Sequence, residues 1–292
     1  MTAYIRSMSK EGRDHYIPVF YQSPWTGDDD LLCQYSRPYK EVLHKRVAPK
    51  ATGFVHGLNT VPHLPPERSR YVEIEHLQKL DHQASLALQK IFDQSPGDIT
   101  LDAPSTIAWI VFVHSLMLRS PEMLKVMGRK FEQKRAEFAA MSIDTASMVD
   151  ESGVQHTVKV GQRTVLPQEL LPGFLASHLV IRSIAEMRWT TRSTASADHT
   201  MLTSDRPVIM TNGLAQPDGH LVIPIAPRLL FLATRSDAPY RAIAAMSDDQ
   251  LVFAVNSKVS EQAIDYVYGV DDKQLRFVAN RLGKRVQSTP LG

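Results

Sequence analysis

The chain has 292 residues, 43% apolar and 22% charged, with 33 Lys and Arg against 31 Asp and Glu for a formal net charge of +2. That length suits one large domain or two closely packed lobes with a sizeable core, and the charge alone does not point to nucleic acid. A single cysteine, Cys33, excludes an internal disulfide, a cysteine-rich zinc knuckle and an iron–sulfur cluster.

The first ten residues contain no apolar targeting core. The longest apolar stretch, Ile107 to Leu118, is interrupted by His114 and Ser115 and is too short for a bilayer, so a cytoplasmic protein with no membrane partner is expected. Residues 13–60 read as strands and loops. Tyr16 to Tyr21 is rich in β-formers, and Pro18 confines it to an edge or a strand end; Gln34 to Arg37 reads as a second strand, stopped by Pro38.

Helices dominate the middle. Ile74, Leu77, Ala84, Leu88 and Ile91 recur at helical spacing between Tyr71 and Phe92. Asp102 caps a second helix running to about Leu118, and Ser120-Pro121-Glu122 restarts a third that runs to about Met141. Residues 142–166 look like a flexible hairpin or loop. A helix over Gln168 to Met187 bends near Pro172-Gly173.

The last third changes period. Trp189–Ser196, Met201–Thr203, Val208–Thr211, Leu221–Ile225 and Leu229–Thr234 read as short strands. Capping boxes at Ser247–Gln250 and Asp271–Gln274 open two helices, the first ending near Gly269. The order is strands, helices, strands, helices. We therefore expect a single α+β domain with its core over about 13–285, in which a central helical bundle packs on a mixed or antiparallel sheet built from N-terminal and C-terminal strands.

Several polar residues break these patterns. Asp81 sits in the apolar stripe of the first helix, either reaching solvent or an arginine at its edge, or serving as a site acid. Glu73 is eight positions earlier on that helix, about 12 Å along an α-helical axis, too far to share a metal without bending. His114 lies on an apolar face and reads as a buried histidine bonded to backbone. Arg119 either satisfies terminal carbonyls or pairs with an acid or an anionic substrate. Ser204-Asp205-Arg206-Pro207 closes an apolar run and fits a site or a turn equally. Asn256 reads as a polar cap at a helix end, His15 stands beside Asp14, and Cys33 has no signal of reactivity. No phosphate-binding glycine loop, zinc helix or Gly-x-Ser-x-Gly elbow is present, while Glu75-His76 and Asp81-His82 leave a divalent metal open.

His15-Tyr16-Ile17-Pro18-Val19-Phe20-Tyr21, Val72-Glu73 through Leu80-Asp81-His82-Gln83-Ala84, Leu118-Arg119-Ser120-Pro121, Leu202 to Pro207, Pro224-Ile225-Ala226-Pro227, and Asn256 with Ala263 and Tyr266-Val267-Tyr268 follow one another in an order that resembles the domain-of-unknown-function 4238 family. The resemblance runs from about 13 to 270 and departs at Tyr21-Gln22-Ser23, where a more apolar continuation is the pattern. It implies no activity, only which residues to watch.

Two functions compete. In the first the chain is an enzyme, hydrolase- or nuclease-like, with His15, Asp81, Arg119, Ser204 and Asp205 converging in one cleft. Glu73, Arg206 and Asn256 bind, His15 is general base, and Arg119 neutralises a phosphate or carboxylate, with acids holding a divalent metal in one version. In the second the same residues form a ligand pocket or a structural network in a binding protein. Lys125, Arg129, Lys130, Lys134 and Arg135 then offer either a face for an acidic partner or an ordinary solvated surface. Oligomeric state is open.

Overall fold

A computed structural model describes residues 12–140, 145–149, 155–159, 165–211 and 213–284. Strand β1 (Arg13–His15) is followed at once by a short helix, α1 (Val19–Gln22), and a 3-10 turn over Ser23–Trp25. The β-rich run Tyr16–Tyr21 is therefore not the edge strand its composition predicts. Pro18 stands at the N-cap, where its missing N–H leaves no helical bond unmade, and the chain coils beyond it. Gly53, at φ +63°, accepts the N–H groups of both Tyr16 and Ile17 and fixes this turn.

Next come β2 (Leu32–Ser36), β3 (Leu43–Val47) and β4 (Phe54–His56), the last pairing antiparallel with β1. A π-helical turn, Val72–Leu77, leads into α2 (Gln78–Phe92). Leu77, Ala84, Leu88 and Ile91 are buried as their spacing predicts, but Ile74 is 49% exposed and Glu73, at 7%, faces inward. The wider π turn changes the phase of the stripe, which an α-helical reading of the sequence cannot anticipate.

After β5 (Gly97–Asp98), α3 (Ala103–Leu118) starts at Asp102, whose side chain accepts from Ser105 N at 3.0 Å. α4 (Pro121–Ala140) starts with Ser120 Oγ accepting from Met123 N at 3.2 Å. β6 (Thr145–Val149) and β7 (Gln155–Lys159) form an antiparallel hairpin, and the remainder of the predicted 142–166 loop, apart from Val165 and Leu166, lies outside the described residues. α5 (Pro167–Leu175) and α6 (His178–Ala185) replace the one bent helix expected there. The break falls at Ala176–Ser177, and Pro172 is absorbed inside α5.

The remaining elements are β8 (Arg188–Ser193), β9 (Thr203–Ser204), β10 (Ile209–Thr211), β11 (His220–Ala226), β12 (Leu229–Thr234), α7 (Asp237–Ala244), α8 (Asp248–Gln262), β13 (Tyr266–Gly269) and α9 (Leu275–Ala279). The Ser247 capping box forms with both of its bonds, at 3.2 and 2.9 Å. α8 stops at Gln262, not near Gly269, and Asn256 lies in its interior, not at its end. The backbone N–H groups of Ile264, Asp265 and Tyr266 are taken by the Asp205 carboxylate, so the chain leaves the helix and enters β13 as a strand. The second box is not made. Gln274 spends its amide on Asn256 and Thr200, and only the five-residue α9 follows.

The fold is α+β. Among the described residues every strand pairing is antiparallel, in a five-stranded sheet of order β10-β11-β12-β8-β5 and a four-stranded sheet of order β3-β2-β13-β9, besides two short ribbons. The four-stranded sheet thus interleaves N-terminal with C-terminal strands. One apolar core, built around Trp25, Trp109, Phe112 and Phe231, joins the helices to the five-stranded sheet; a second packs α8 and α9 on the four-stranded sheet through Val255, Val259, Val267 and Val278. No single helix among the described residues is long and apolar enough to cross a membrane.

Candidate functional site

β1, the π-helical turn and the α3–α4 corner bring one set of ionisable side chains together. Strand alternation turns Asp14 wholly inward. Its Oδ1 accepts from Arg70 and its Oδ2 from Asn59 N at 2.9 Å. The Asn59 amide donates to Glu73 Oε2 at 2.9 Å, and Gln78 reaches the other oxygen of Glu73 at 3.5 Å. Burial, reinforced by the nearby charges of Asp14 and Asp81, pushes the Glu73 carboxyl up.

Arg119 is 1% exposed and donates from Nη1 to Asp81 Oδ1 at 2.9 Å, while Asp81 retains 24% of its side-chain surface. Burial pushes the Asp81 carboxyl up, against the pull of the Arg119 charge. The guanidinium therefore serves an acid and not the terminal carbonyls of α3. Its Nε and Nη2 have no hydrogen-bond partner, and its Cζ lies 5.7 Å from the Phe112 ring centre. His15 packs against Phe54 with ring centres 5.4 Å apart. Burial lowers its pKa, the Lys50 backbone hydrogen-bonds the ring and opposes the shift, and the charges of Arg13 and Arg119 add to the lowering. His15 Nε2 has no partner.

Ser204, Asp205, Arg206 and Asn256 belong to a second set. Asp205 accepts from Ile264 N at 2.9 Å, Asp265 N at 2.6 Å and Tyr266 N at 3.0 Å. Burial outweighs those three bonds and pushes its carboxyl up to about 6. Ser204 Oγ accepts from Arg206 N at 3.1 Å. Burial lowers the Arg206 pKa against the charge of Asp205. Asn256 accepts from Leu202 N at 2.8 Å and donates to Thr200 O and Gln274 Oε1. This is the turn reading of Ser204–Pro207: the side chains hold backbone. The N-terminal segment bridges the two sets. Tyr21 OH binds Pro224 O and Thr203, Trp25 Nε1 donates to Met201 O, and Tyr16, beside His15, feels the Asp205 charge.

The family described as "Protein of unknown function (DUF4238)" matches residues 13–273, from the start of β1 to the residue before Gln274, and so takes in both sets. The chain belongs to the DUF4238 family. No curated protein and no solved structure matches it.

Of the residues singled out in this DUF4238 chain, Asp81 and Arg119 are bonded to each other, His15 feels the charge of Arg119 and Glu73 that of Asp81; Ser204, Asp205, Arg206 and Asn256 are bonded to other partners, although Arg206 also feels the charge of Glu122 at the α3–α4 corner. Sequence reasoning missed Asn59 and Arg70, which sit without periodicity between β4 and the π-helical turn, and passed over Asp14 in favour of its neighbour. Among the described residues no group of three or more His, Cys, Asp or Glu side chains is placed to hold a metal ion. His114 is buried, with Nδ1 unpartnered and its pKa lowered by burial to about 4. Cys33 is buried and its thiol is pushed up by burial, which makes it a poor nucleophile. On α4, Lys134 pairs with Glu137 and Arg135 with Glu132, as on an ordinary solvated face.

Proposed function

We propose that this DUF4238 member binds a small anionic substrate at Arg119 and acts on it as a hydrolase-like enzyme, with His15 as general base. The observation that carries this reading is the free side of the Arg119 guanidinium. Asp81 occupies Nη1, and Nε with Nη2 form the opposite edge, two near-parallel N–H donors matched to a carboxylate or phosphate. A buried charged donor without an acceptor is costly, and an incoming oxyanion removes that cost. His15 Nε2 is unpartnered, and the general-base role calls for the tautomer that carries its proton on Nδ1. That tautomer leaves the Nε2 lone pair to take a proton from water or a substrate hydroxyl. The atoms concerned are closed to solvent, so entry requires the covering segments to part.

The test is a thermal-shift and calorimetric titration of the wild type, Arg119→Gln and His15→Gln with inorganic phosphate, acetate and phosphomonoesters, beside a hydrolysis assay on the esters. Stabilisation that Arg119→Gln abolishes, with turnover that His15→Gln abolishes while binding survives, supports the proposal. Equal responses from wild type and Arg119→Gln sink it. The joined set Asp14–Arg70–Asn59–Glu73 favours a second reading, a binding protein that uses the same residues without catalysis. Binding at Arg119 without turnover in the wild type would select it.

A further inference from the structure

A cavity of about 450 Å³, the size of a small-molecule site, opens on the four-stranded sheet, and none of the Arg119 cluster lines it. Strand register decides which side chains share its face. Ser36 stands opposite Leu43 and Tyr266, and Gln34 opposite Lys45 and Tyr268, so these two rows lie side by side on one face. Arg37 and His44 alternate to the other face, where Arg37 bonds the carbonyls of Leu282 and Ala279. Asp265 precedes β13 and is exposed. The two rows are therefore uncharged except at Lys45, and a lysine on an edge strand already guards against strand-to-strand association.

Gln34 carries the signal. It is 4% exposed, and its Oε1 accepts from the Thr52 hydroxyl at 2.5 Å. Thr52 has one hydroxyl proton, so Tyr268 OH, 3.0 Å away, donates to Thr52. That relay fixes the amide by its oxygen, and Nε2 makes no hydrogen bond among the described residues. A buried amide with open N–H donors is costly, and Gln34 lines the cavity. The Ser36 hydroxyl, about 7 Å further along the strand on the same face, is likewise unbonded among the described residues. Beside it the half-buried Tyr266 ring stacks on Tyr268 at 6.1 Å and 27°, and Leu43, 51% exposed, completes the row. The backbone of Ile264–Tyr266 hangs on the Asp205 carboxylate, so the ring is positioned before any ligand arrives.

We infer that this cavity is a second binding site, for a neutral sugar. A pyranose has the matching make-up. Its face of polarised C–H groups packs on the electron-rich face of Tyr266, and its rim of hydroxyls accepts from Gln34 Nε2 and exchanges a hydrogen bond with Ser36. A planar aromatic ligand would find one ring on this face and no second to close over it. The inference does not rest on the reading of Arg119, and uncharged probes leave that reading untouched if they fail. The test is saturation-transfer NMR and calorimetry on the full chain with the methyl glycosides of glucose, galactose, mannose and N-acetylglucosamine, beside adenine and uracil as planar neutral ligands. The expected result is that at least one glycoside binds, with a Kd of about 1 mM, and that its ring C–H protons receive the most saturation. Tyr266→Phe keeps that binding, Tyr266→Leu and Gln34→Leu each weaken it about tenfold, and Arg119→Gln leaves it unchanged. Ser36→Ala, at a partly exposed position, weakens it less and carries the polar arm of the test if Gln34→Leu does not fold. Failure of all four glycosides to bind, binding equal in wild type and Tyr266→Leu, or adenine or uracil binding where no glycoside does would each overturn it.

Discussion

The Arg119 set and the Asp205 set are each centred on a buried ionisable side chain, 1% and 3% exposed, and each draws on distant parts of the chain, yet they are finished differently. Around Asp205 and Asn256 the described bonds use both carboxylate oxygens and both ends of the amide, all on backbone except the one from Asn256 to the Gln274 side chain. Around Arg119 the bonding stops short: two guanidinium nitrogens, His15 Nε2, Arg70 Nε and Asn59 Oδ1 are left without partners. A satisfied network fixes a backbone. The proposed function takes the unsatisfied charged one as the place of a ligand.

The contrast can be broken, and the largest effect should come from the finished side. Asp205→Ala strands three backbone N–H groups in the interior and should cost ~3–5 kcal/mol, read as a fall in the urea midpoint at unchanged slope. A loss below ~1 kcal/mol would mean the carboxylate does not hold that backbone.

A smaller effect tests whether an unpartnered atom alone signals a site. His114 also lacks a partner at Nδ1, but burial is the sole cause of its shift from 6.5 to about 4. Its folded pKa is depressed, so its full contribution is present above pH 6.5 and is lost as pH falls towards 4, ~3 kcal/mol in all. Asp205, raised from 3.8 to about 6, works in the opposite sense, since its native form binds the proton more tightly and its contribution grows as pH falls through 6 towards 3.8. The measurement is therefore the difference between wild type and His114→Leu in stability across that range. A difference that does not change with pH would show that the ring is not held neutral.

The smallest change in stability sharpens the unfinished side. Asp81→Asn leaves Arg119 buried without its counter-ion and should cost ~2 kcal/mol, discounted because Asp81 is partly exposed. Added phosphate or sulfate should restore more stability to this variant than to wild type, measured as the increase in Tm per decade of salt. Equal increases would deny Arg119 an anion-binding role.

Much of this fold could be read from local signals because those signals act locally. The caps at Asp102, Ser120 and Ser247 form as read, and β12 begins and ends at Leu229 and Thr234. What failed depended on partners far along the chain. Tyr266–Gly269 became a strand because β2 and β9 flank it, and Gln274 gave up its capping role to a distant asparagine. The same division holds for the site. Asp81 and Arg119 were visible because each interrupts a pattern. Glu73 was read on an unbroken α-helix, and the π turn instead brings it inward, where it feels the charge of Asp81. Asn59 and Arg70 interrupt nothing.

The interleaved sheet carries a consequence for biogenesis. Tyr35 of β2 bonds Asp271, a residue 236 positions later, and β13 fills the gap between β2 and β9. On the ribosome the β2–β3 hairpin therefore waits with one flank bare until β13, more than two hundred residues later, has been made. Closing so long a loop is slow, and a bare strand invites association with other nascent chains. Prolonged chaperone engagement, and aggregation of products shortened before β13, follow from that order of assembly.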